Sequence, residues 1–191
     1  MIPGPLSVRE CAVLGELAAA ATASRALEVG HYLGLSTSVL LDHLPEGCEL
    51  VTIDHHKGDD WCPATSVVEF ETNIAPHIGD RPFRSINNDM RTVLPALEGR
   101  FGFVFYDADH TADAVTEFWK LAEPLLEPEC TLVFDDADWT DQGFLRVLAE
   151  TDGFEVIRTE PFVRHQADKH DHNTYTLEIM VRVLRRWVFG R

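Results

Sequence analysis

Carboxylate side chains stand at the ends of two apolar segments of this 191-residue chain. Asp107 directly follows the apolar residues 101–106, and the pair Asp135 and Asp136 follows residues 131–134. Carboxylates that share a site repel one another, by about 4 kcal/mol per pair at ~4 Å and an effective dielectric constant of about 20. A divalent cation removes this cost, and ligation by oxygen atoms alone favours Mg²⁺. We therefore predict that Asp107, Asp135 and Asp136 bind Mg²⁺ or another divalent cation.

A histidine lies close to these acids in the sequence. His110 comes three residues after Asp107, so both side chains can face one site. An imidazole titrates near neutral pH and can accept a proton from a hydroxyl group whose acidity a metal ion has raised. We predict that His110 and Asp107 are catalytic residues. In the alternative interpretation, Asp109 or Thr111 caps a helix and the acidic pair lies in a solvated loop.

A glycine-containing turn follows the first apolar strand segment. Gly30 and Gly34 permit a tight turn and the close approach of a ligand to the backbone, and the next helix offers free N–H groups. A dinucleotide-binding loop would have glycine at positions 30, 32 and 35, whereas this chain has Tyr32 and Leu35. This difference argues against an NAD-dependent enzyme. Glu28, just before the turn, would also repel a phosphate group and suits a cationic or hydroxyl-bearing ligand.

A further acid ends the second strand segment. Asp54 lies 24 residues after Gly30, where an acidic side chain can accept hydrogen bonds from both hydroxyl groups of a ribose. Together with Glu28 and the glycine turn, Asp54 predicts a pocket for a nucleoside without phosphates. The neighbouring His55 is predicted to line this pocket, with an ordinary surface loop as the alternative.

These motifs together resemble those of class I S-adenosylmethionine-dependent methyltransferases. The resemblance rests on Glu28-Val29-Gly30-x-x-x-Gly34-x-Ser36, Asp54, Asn88-Asp89 and Asp107, and it covers about residues 20 to 140. It implies S-adenosylmethionine as the cofactor, with Glu28 near its methionine end, Asp54 on its ribose and Asp89 near its adenine. Alternatively, Asp89 only caps the helix that starts at Arg91. The full set of predicted cofactor-binding residues is Glu28, Gly30, His31, Tyr32, Gly34, Ser36, Asp54, His55, Asp89 and Asp107.

The acid and histidine pattern narrows the resemblance. Asp107-x-x-His110 with a downstream acidic pair is similar to metal-dependent O-methyltransferases that act on sugars and other natural-product hydroxyl groups. Those enzymes usually have Glu-Asp where this chain has Asp135-Asp136, and catechol-type relatives carry Lys at position 110. The resemblance implies methyl transfer to a small-molecule hydroxyl group, with Mg²⁺ binding the acceptor and His110 taking the proton. The alternatives are a metal-independent methyltransferase and a non-catalytic module that binds a nucleoside or S-adenosylmethionine.

Apolar periodicity and Pro or Gly breaks predict the elements that position these residues. Helices are predicted at residues 7–23, with Ser7 as N-cap, and at residues 36–44, 65–78, 91–97, 113–126 and 140–150. Strands are predicted at residues 26–29, 49–54, 83–87, 101–106, 131–134, 154–160 and 174–183. This order indicates an α/β fold, namely a Rossmann-like, mostly parallel seven-stranded sheet with helices on both faces and an antiparallel C-terminal hairpin. We expect one domain over residues 1–191, with a helical extension at 1–24 and the α/β core at 25–191.

Composition limits the partners and the location. The chain has 32 acidic and 16 basic residues, a net charge of −16 at pH 7, so it lacks the basic face that nucleic acid or an anionic membrane requires. It has no run of 18 apolar residues and no signal-like N-terminus, so we expect a cytoplasmic protein. The four cysteines form no Cys-x-x-Cys pair and are expected to be buried thiols. Residues 187–189 are a candidate apolar contact for a homodimer, and a connection with His165, His170 and His172 is expected to overhang the substrate.

Overall fold

The computed structural model describes residues 2–58 and 63–136 in full, and the backbone of two further strands at 154–168 and 171–186. The described helices are α1 (Val8–Ala19), α2 (Leu35–His43), α3 (Val67–Ile78), α4 (Met90–Val93) and α5 (Ala112–Ala122). The 3₁₀ turns Leu94–Ala96 and Glu123–Leu125 continue α4 and α5. The strands are β1 (Arg25–Val29), β2 (Glu49–Asp54), β3 (Phe83–Asn87), β4 (Phe101–Tyr106), β5 (Leu126–Phe134), β6 (Phe154–Asp168) and β7 (Asp171–Arg186).

The strands form one sheet in the order β3-β2-β1-β4-β5-β7-β6. Strands β1 to β5 are parallel to one another, whereas β7 is antiparallel to both β5 and β6. The predicted α/β, Rossmann-like parallel core is therefore confirmed. The strand order reverses between β1 and β4, and ligands bind at such a reversal point in open α/β sheets. This topology places the residues that follow β1, β2, β4 and β5 along one edge of the sheet.

Two apolar cores cover the two faces of the sheet. Strand β4 is buried along its whole length, so its successive side chains enter the two cores in alternation. Helix α5 packs on one face, and α1, α2 and α3 pack on the other. Helix α1 begins as predicted, since Ser7 is its N-cap and forms a capping box with Glu10. It ends at Ala19 rather than at residue 23, because the chain turns there to enter β1.

Several predicted boundaries are wrong. Strand β5 begins at Leu126 instead of residue 131, because Leu126 already pairs with Phe101. Helix α5 ends at Ala122, and Pro124 lies in the following 3₁₀ turn. Cys48 and Cys130 are buried as predicted, whereas Cys11 is only partly buried and Cys62 lies outside the described residues.

The C-terminal strands are longer than predicted. His165 lies in β6 and His172 lies in β7, so the prediction that they belong to a long loop is wrong. The strand ladder is extended to Asp168 and Asp171, which pair with each other. The predicted helix at 140–150, the candidate dimer contact at 187–189 and His170 lie outside the described residues.

Candidate active site

The end of β1 touches the end of β4 at the reversal point of the sheet. The backbone N–H of Gly30 donates to the Ile53 carbonyl at 2.9 Å, and that of Asp107 donates to the Val29 carbonyl at 2.9 Å. Gly30 has a φ of 87°, and a Cβ atom there would lie 1.9 Å from the carbonyl oxygen of Asp107. The glycine is therefore required by the neighbouring strand, and the close approach expected from the sequence is made by the protein's own backbone.

Helix α3 supports the other end of the same turn. A Cβ atom on Gly34 would lie 2.6 Å from Cγ2 of Ile74 and 3.1 Å from the ring of Phe70. The amide of Asn73 donates a hydrogen bond to the Leu33 carbonyl at 3.0 Å. Residues 30–34, the predicted cofactor-binding turn that we call the cofactor loop, are thus held between the backbone of Asp107 after β4 and the side chains of α3.

Asp54 connects the cofactor loop to the segment after β2. Its Oδ2 accepts hydrogen bonds from the backbone N–H groups of His31 at 3.0 Å and Tyr32 at 2.9 Å, and its Oδ1 accepts one from His56 at 2.7 Å. Burial alone would raise the pKa of Asp54, but the ring of His31 and these three donors outweigh it and lower the pKa. Asp54 is therefore ionised and has a structural role that the sequence did not indicate.

His31 takes part in an aromatic stack that sequence reasoning missed. Its ring stacks on Phe70 with a centroid distance of 3.8 Å and meets the ring of His56 edge-on at 4.7 Å. Burial lowers the pKa of His31 to about 4, so the ring is neutral at pH 7. The ring nitrogens of His56 contact Thr65 Oγ1 at 2.8 Å and Asn87 Oδ1 at 3.1 Å. By contrast, His55 is exposed, and its Nδ1 accepts a hydrogen bond from the backbone N–H of Lys57 at 3.0 Å.

Glu28 is a fully buried carboxyl group beside the N-terminus of α2. Its Oε2 accepts a hydrogen bond from the hydroxyl group of Thr37 at 2.7 Å. Burial raises the pKa of Glu28 to about 7, although the hydroxyl groups of Ser36, Thr37 and Thr52 oppose the shift. A carboxyl group in this setting is ready to receive a cationic ligand, since such a ligand would stabilise the charged form.

The remaining predicted cofactor residues lie around this centre. Tyr32 is half-buried with a φ of 47°, a left-handed conformation that is unfavourable for a bulky residue. Ser36 is buried in the first turn of α2. Asp89 is the N-cap of α4, and its Oδ1 accepts a hydrogen bond from the backbone N–H of Arg91 at 2.8 Å. Asp89 therefore caps this helix, which begins at Met90 rather than Arg91, and its place near the adenine stays a prediction.

The ends of β4 and β5 bring together two acids and the predicted base. His110 Nε2 lies 3.6 Å from Asp107 Oδ1 and 3.8 Å from Asp136 Oδ2. Burial of His110 opposes its charged form, but Asp107, Asp136 and Asp109 outweigh that effect and raise the pKa of His110 above its usual value. The side chains of Asp107, His110 and Asp136 are each 14–16% exposed, so the group borders the surface.

The neighbouring residues fix the position of His110. The hydroxyl group of Tyr106 donates to the Asp109 carbonyl at 2.6 Å, and Asp109 Oδ1 accepts a hydrogen bond from the Thr111 backbone at 2.9 Å. Thr111 then caps α5. Helix capping by Asp109 and Thr111 was an alternative to a catalytic site, yet the structure shows these caps together with the histidine and acid group.

Asp135 directly follows β5 and is buried. Its backbone N–H still donates to the Tyr106 carbonyl at 3.0 Å, so the strand ladder continues through this residue. Its side chain is buried on the side of α1, where burial, Glu10 and then Asp135 raise the pKa of the Cys11 thiol. Asp136 follows with a φ of 46° and turns toward His110. The structure thus brings Asp107 and Asp136 to the same nitrogen of His110, and the role of Asp135 as a ligand stays a prediction.

No group of three or more His, Cys, Asp or Glu side chains is arranged to hold a metal ion within residues 2–58 and 63–136. Over the same part of the chain, no helix is both long enough and apolar enough to cross a bilayer.

Residues 27–137 match the model of a family described as a methyltransferase domain. The chain belongs to this methyltransferase family. No curated protein matches the sequence of this methyltransferase domain.

Solved structures share its fold at low sequence identity. An O-methyltransferase from Bacillus cereus in complex with SAH is 20% identical, with a TM-score of 0.69 and coverage of 95% of this chain and 84% of that one. The O-methyltransferase TomG from Streptomyces achromogenes, involved in Tomaymycin synthesis and solved with SAM, is 21% identical, with a TM-score of 0.70 and coverage of 96% and 82%. A methyltransferase from Geobacter sulfurreducens is 13% identical, with a TM-score of 0.65 and coverage of 95% and 80%.

Proposed function

We propose that this methyltransferase domain transfers a methyl group from S-adenosylmethionine to a hydroxyl group of a small molecule. One observation carries the proposal: His110 lies between Asp107 and Asp136 at the same sheet edge as the cofactor loop. Asp107 belongs to the acid and histidine group and also touches Gly30 of the cofactor loop. A methyl donor and a proton acceptor can therefore meet at this point.

The cofactor part of the proposal is supported by the buried polar groups around the cofactor loop. Glu28 would receive the cationic methionine end, and His31, Tyr32 and Ser36 would line it. Asp54 would bind the ribose with the acceptor capacity that remains, because a carboxylate has about four acceptor positions and three are occupied. His55 and Asp89 would border the adenine, and Gly30, Gly34 and Asp107 would complete the pocket. The Bacillus cereus and Streptomyces achromogenes structures contain SAH and SAM respectively, which favours the same cofactor here.

The chemical part of the proposal assigns His110 as the general base. The acceptor oxygen forms a bond to the methyl carbon while the sulfur–carbon bond breaks, and the hydroxyl proton passes to His110. Asp107 and Asp136 hold the imidazole ring and stabilise its positive charge once it is protonated. A positioned base of this type contributes roughly 10² to 10⁴-fold to the rate.

A divalent cation, most simply Mg²⁺, is a further part of the proposal. Asp107 and Asp136 would be its protein ligands, because both carboxylates approach His110 at the edge of the site, while the buried Asp135 would stand behind them. When bound, such an ion lowers the pKa of the acceptor hydroxyl group and orients it.

A metal-independent reaction is the second candidate. It is favoured by the observation that His110 already lies within 4 Å of both carboxylates and compensates their charge when protonated.

Methyl transfer from tritiated S-adenosylmethionine to catechol, used as a probe with two adjacent hydroxyl groups, tests the proposal. The His110→Ala variant should lose turnover while it retains cofactor binding. Cofactor binding without any turnover by the wild-type protein, on catechol or on sugar diols, would instead indicate a non-catalytic binding module.

The metal part is tested by chelation with EDTA and by a matched pair of variants. We expect EDTA to abolish transfer and added Mg²⁺ to restore it. The Asp136→Asn substitution should raise the Mg²⁺ concentration that gives half-maximal transfer by about tenfold or more, whereas Asp135→Asn should leave that concentration unchanged. Full activity in EDTA would establish the metal-independent candidate.

The proposal also covers the oligomeric state, the class of acceptor and the location of the protein. We propose that a second copy of the chain closes the acceptor side of the site, so that the protein is a homodimer. The involvement of the Streptomyces achromogenes relative in Tomaymycin synthesis supports a natural-product acceptor for this chain. We propose a cytoplasmic location because the acidic composition argues against membrane association. Size-exclusion chromatography with light scattering tests the dimer directly.

A further inference from the structure

Three consecutive hydroxyl-bearing residues, Ser36, Thr37 and Ser38, lie in the first turn of helix α2. Thr37 and Ser38 have different hydrogen-bond partners. Thr37 is fully buried, and its Oγ1 donates to Glu28 Oε2 at 2.7 Å. The next residue, Ser38, donates instead to the carbonyl of Leu35 at 2.7 Å, within the helix itself. The resemblance to methyltransferases assigned Ser36 to the cofactor and assigned nothing to Thr37. The hydrogen bond to Glu28 is therefore a feature that the motif did not include.

The surroundings of Glu28 make this hydrogen bond important. Ser36 and Thr37 reach Glu28 from α2, and Thr52 lies opposite it on β2. The negative charge of Asp107, after β4, raises the pKa of Glu28. Both Asp107 and burial disfavour the charged carboxylate. Each hydroxyl group that donates to Glu28 lowers its pKa, which favours the charged form, and also restricts the rotation of the carboxyl group.

The positive charges of the proposed cofactor explain why a fixed carboxylate at this position would be useful. S-adenosylmethionine carries a sulfonium and an ammonium group, and both require a negatively charged or hydrogen-bond-accepting partner. Glu28 is a fully buried acid adjacent to the cofactor loop, and one of its oxygens is fixed by Thr37. Fixing one oxygen leaves the other in a defined direction, which is what a short contact with an ammonium group requires.

We propose that Thr37 is a positioning residue for the cofactor: its hydroxyl group holds the Glu28 carboxylate in the orientation that meets the cationic methionine end of S-adenosylmethionine. This inference rests on the proposed function, because it takes S-adenosylmethionine as the ligand. Thr37 itself does not touch the cofactor. Its contribution passes through Glu28.

Calorimetric titration with S-adenosylmethionine at pH 7.5 is the first test. Thr37→Val removes the hydroxyl group at nearly constant volume and should weaken binding by about tenfold or more, since a hydrogen bond to a charged group is lost. Thr37→Ser keeps the hydroxyl group and should bind within about threefold of wild type. Ser38→Ala removes the neighbouring hydroxyl group, which does not reach Glu28, and should bind as wild type does. Equal losses for Thr37→Val and Ser38→Ala, or no loss for either, would overturn the proposal.

A second test does not need the cofactor. In the free protein, the carboxyl carbon of Glu28 can be followed by NMR as the pH changes. Thr37→Val should raise the pH midpoint of Glu28 by about one unit, whereas Thr37→Ser and Ser38→Ala should leave it in place. Thr37→Ala replaces Thr37→Val if the valine variant does not fold. An unchanged midpoint overturns the role of Thr37 whatever the cofactor is. Failure of the wild-type protein to bind S-adenosylmethionine would overturn the proposed function instead, and the two failures are therefore distinct.

Discussion

The two halves of the candidate site are stabilised in different ways. At the ends of β1 and β2, the cofactor loop is held by backbone hydrogen bonds to Asp54 and by contacts too close for a Cβ atom at Gly30 and Gly34. At the ends of β4 and β5, His110 and its two acidic neighbours are related by charge, at distances of 3.6 and 3.8 Å. The first half is fixed in shape before any ligand arrives, whereas the second half responds to charge. This difference fits a rigid donor pocket beside an adaptable acceptor pocket.

The strongest test of the comparison is Gly30→Ala, because Gly30 joins the two halves. A methyl group there would overlap the Asp107 carbonyl, so we expect a loss of about 4 kcal/mol in the free energy of unfolding, measured by urea denaturation. Gly47→Ala is the matched control: its φ is 77°, but no atom lies within 4 Å of the added Cβ. It should cost only about 1–2 kcal/mol. Equal losses in the two variants would show that conformation, rather than the contact with β4, requires glycine at position 30.

The Asp54→Ala substitution should disrupt the part of the site at the ends of β1 and β2 and leave the part at the ends of β4 and β5 intact. Three backbone N–H groups lose their acceptor, so we expect about 3 kcal/mol of lost stability and about 100-fold weaker binding of S-adenosylmethionine by calorimetry. Asp42→Ala removes an aspartate that pairs with His77 at the surface and should change stability by about 1 kcal/mol or less. An Asp54→Ala variant with unchanged cofactor affinity would contradict the rigid donor pocket.

His110→Ala should break only the acceptor half. We expect turnover on the catechol probe to fall by about 100-fold or more, while affinity for S-adenosylmethionine stays within about twofold. The half-buried His77 provides the control, since His77→Ala removes a histidine that pairs with Asp42 outside the candidate site. A parallel loss of turnover and cofactor affinity in His110→Ala would mean that the two halves are not separable.

The buried carboxyl group of Glu28, in the cofactor half of the site, makes the stability of the protein depend on pH. An unfolded carboxyl group titrates near 4.5, whereas burial raises the pKa of Glu28 to about 7. Between these pH values the unfolded chain loses the proton first, so rising pH favours unfolding, and the cost is complete above about pH 7. The shift corresponds to at most about 3 kcal/mol. Glu28→Gln should therefore gain stability relative to wild type at pH 8 but not at pH 4, as measured by denaturation at each pH. A constant difference between the two proteins would rule out this ionisation.

Much of the fold could be predicted from the sequence because its signals are local. The alternation of strands with helices and the apolar run of β4 predicted the parallel core. The boundaries failed where distant partners decide them, as at Leu126, whose strand conformation depends on pairing with Phe101.

The site was predicted less completely for the same reason. Asp54 was identified as an acid at a strand end, but its three backbone donors depend on how two loops meet. Asp135 and Asp136 were grouped because both follow β5. The left-handed backbone of Asp136, which turns its side chain toward His110, had no local signal in the sequence. The stack of His31 on Phe70 had no local signal.

The position of α1 defines the smallest piece of this protein that could fold alone. The family match starts at residue 27, yet Leu14 and Leu17 of α1 lie in the same core as Phe103 and Val133 of the sheet. Gly4 packs so closely on Leu35 that an added Cβ atom would lie 2.7 Å from it. A fragment cut at the family boundary would expose this apolar face to water and aggregate. Helix α1, which precedes the region matched by the family, is therefore an integral part of the folded domain, and an affinity tag is better attached elsewhere.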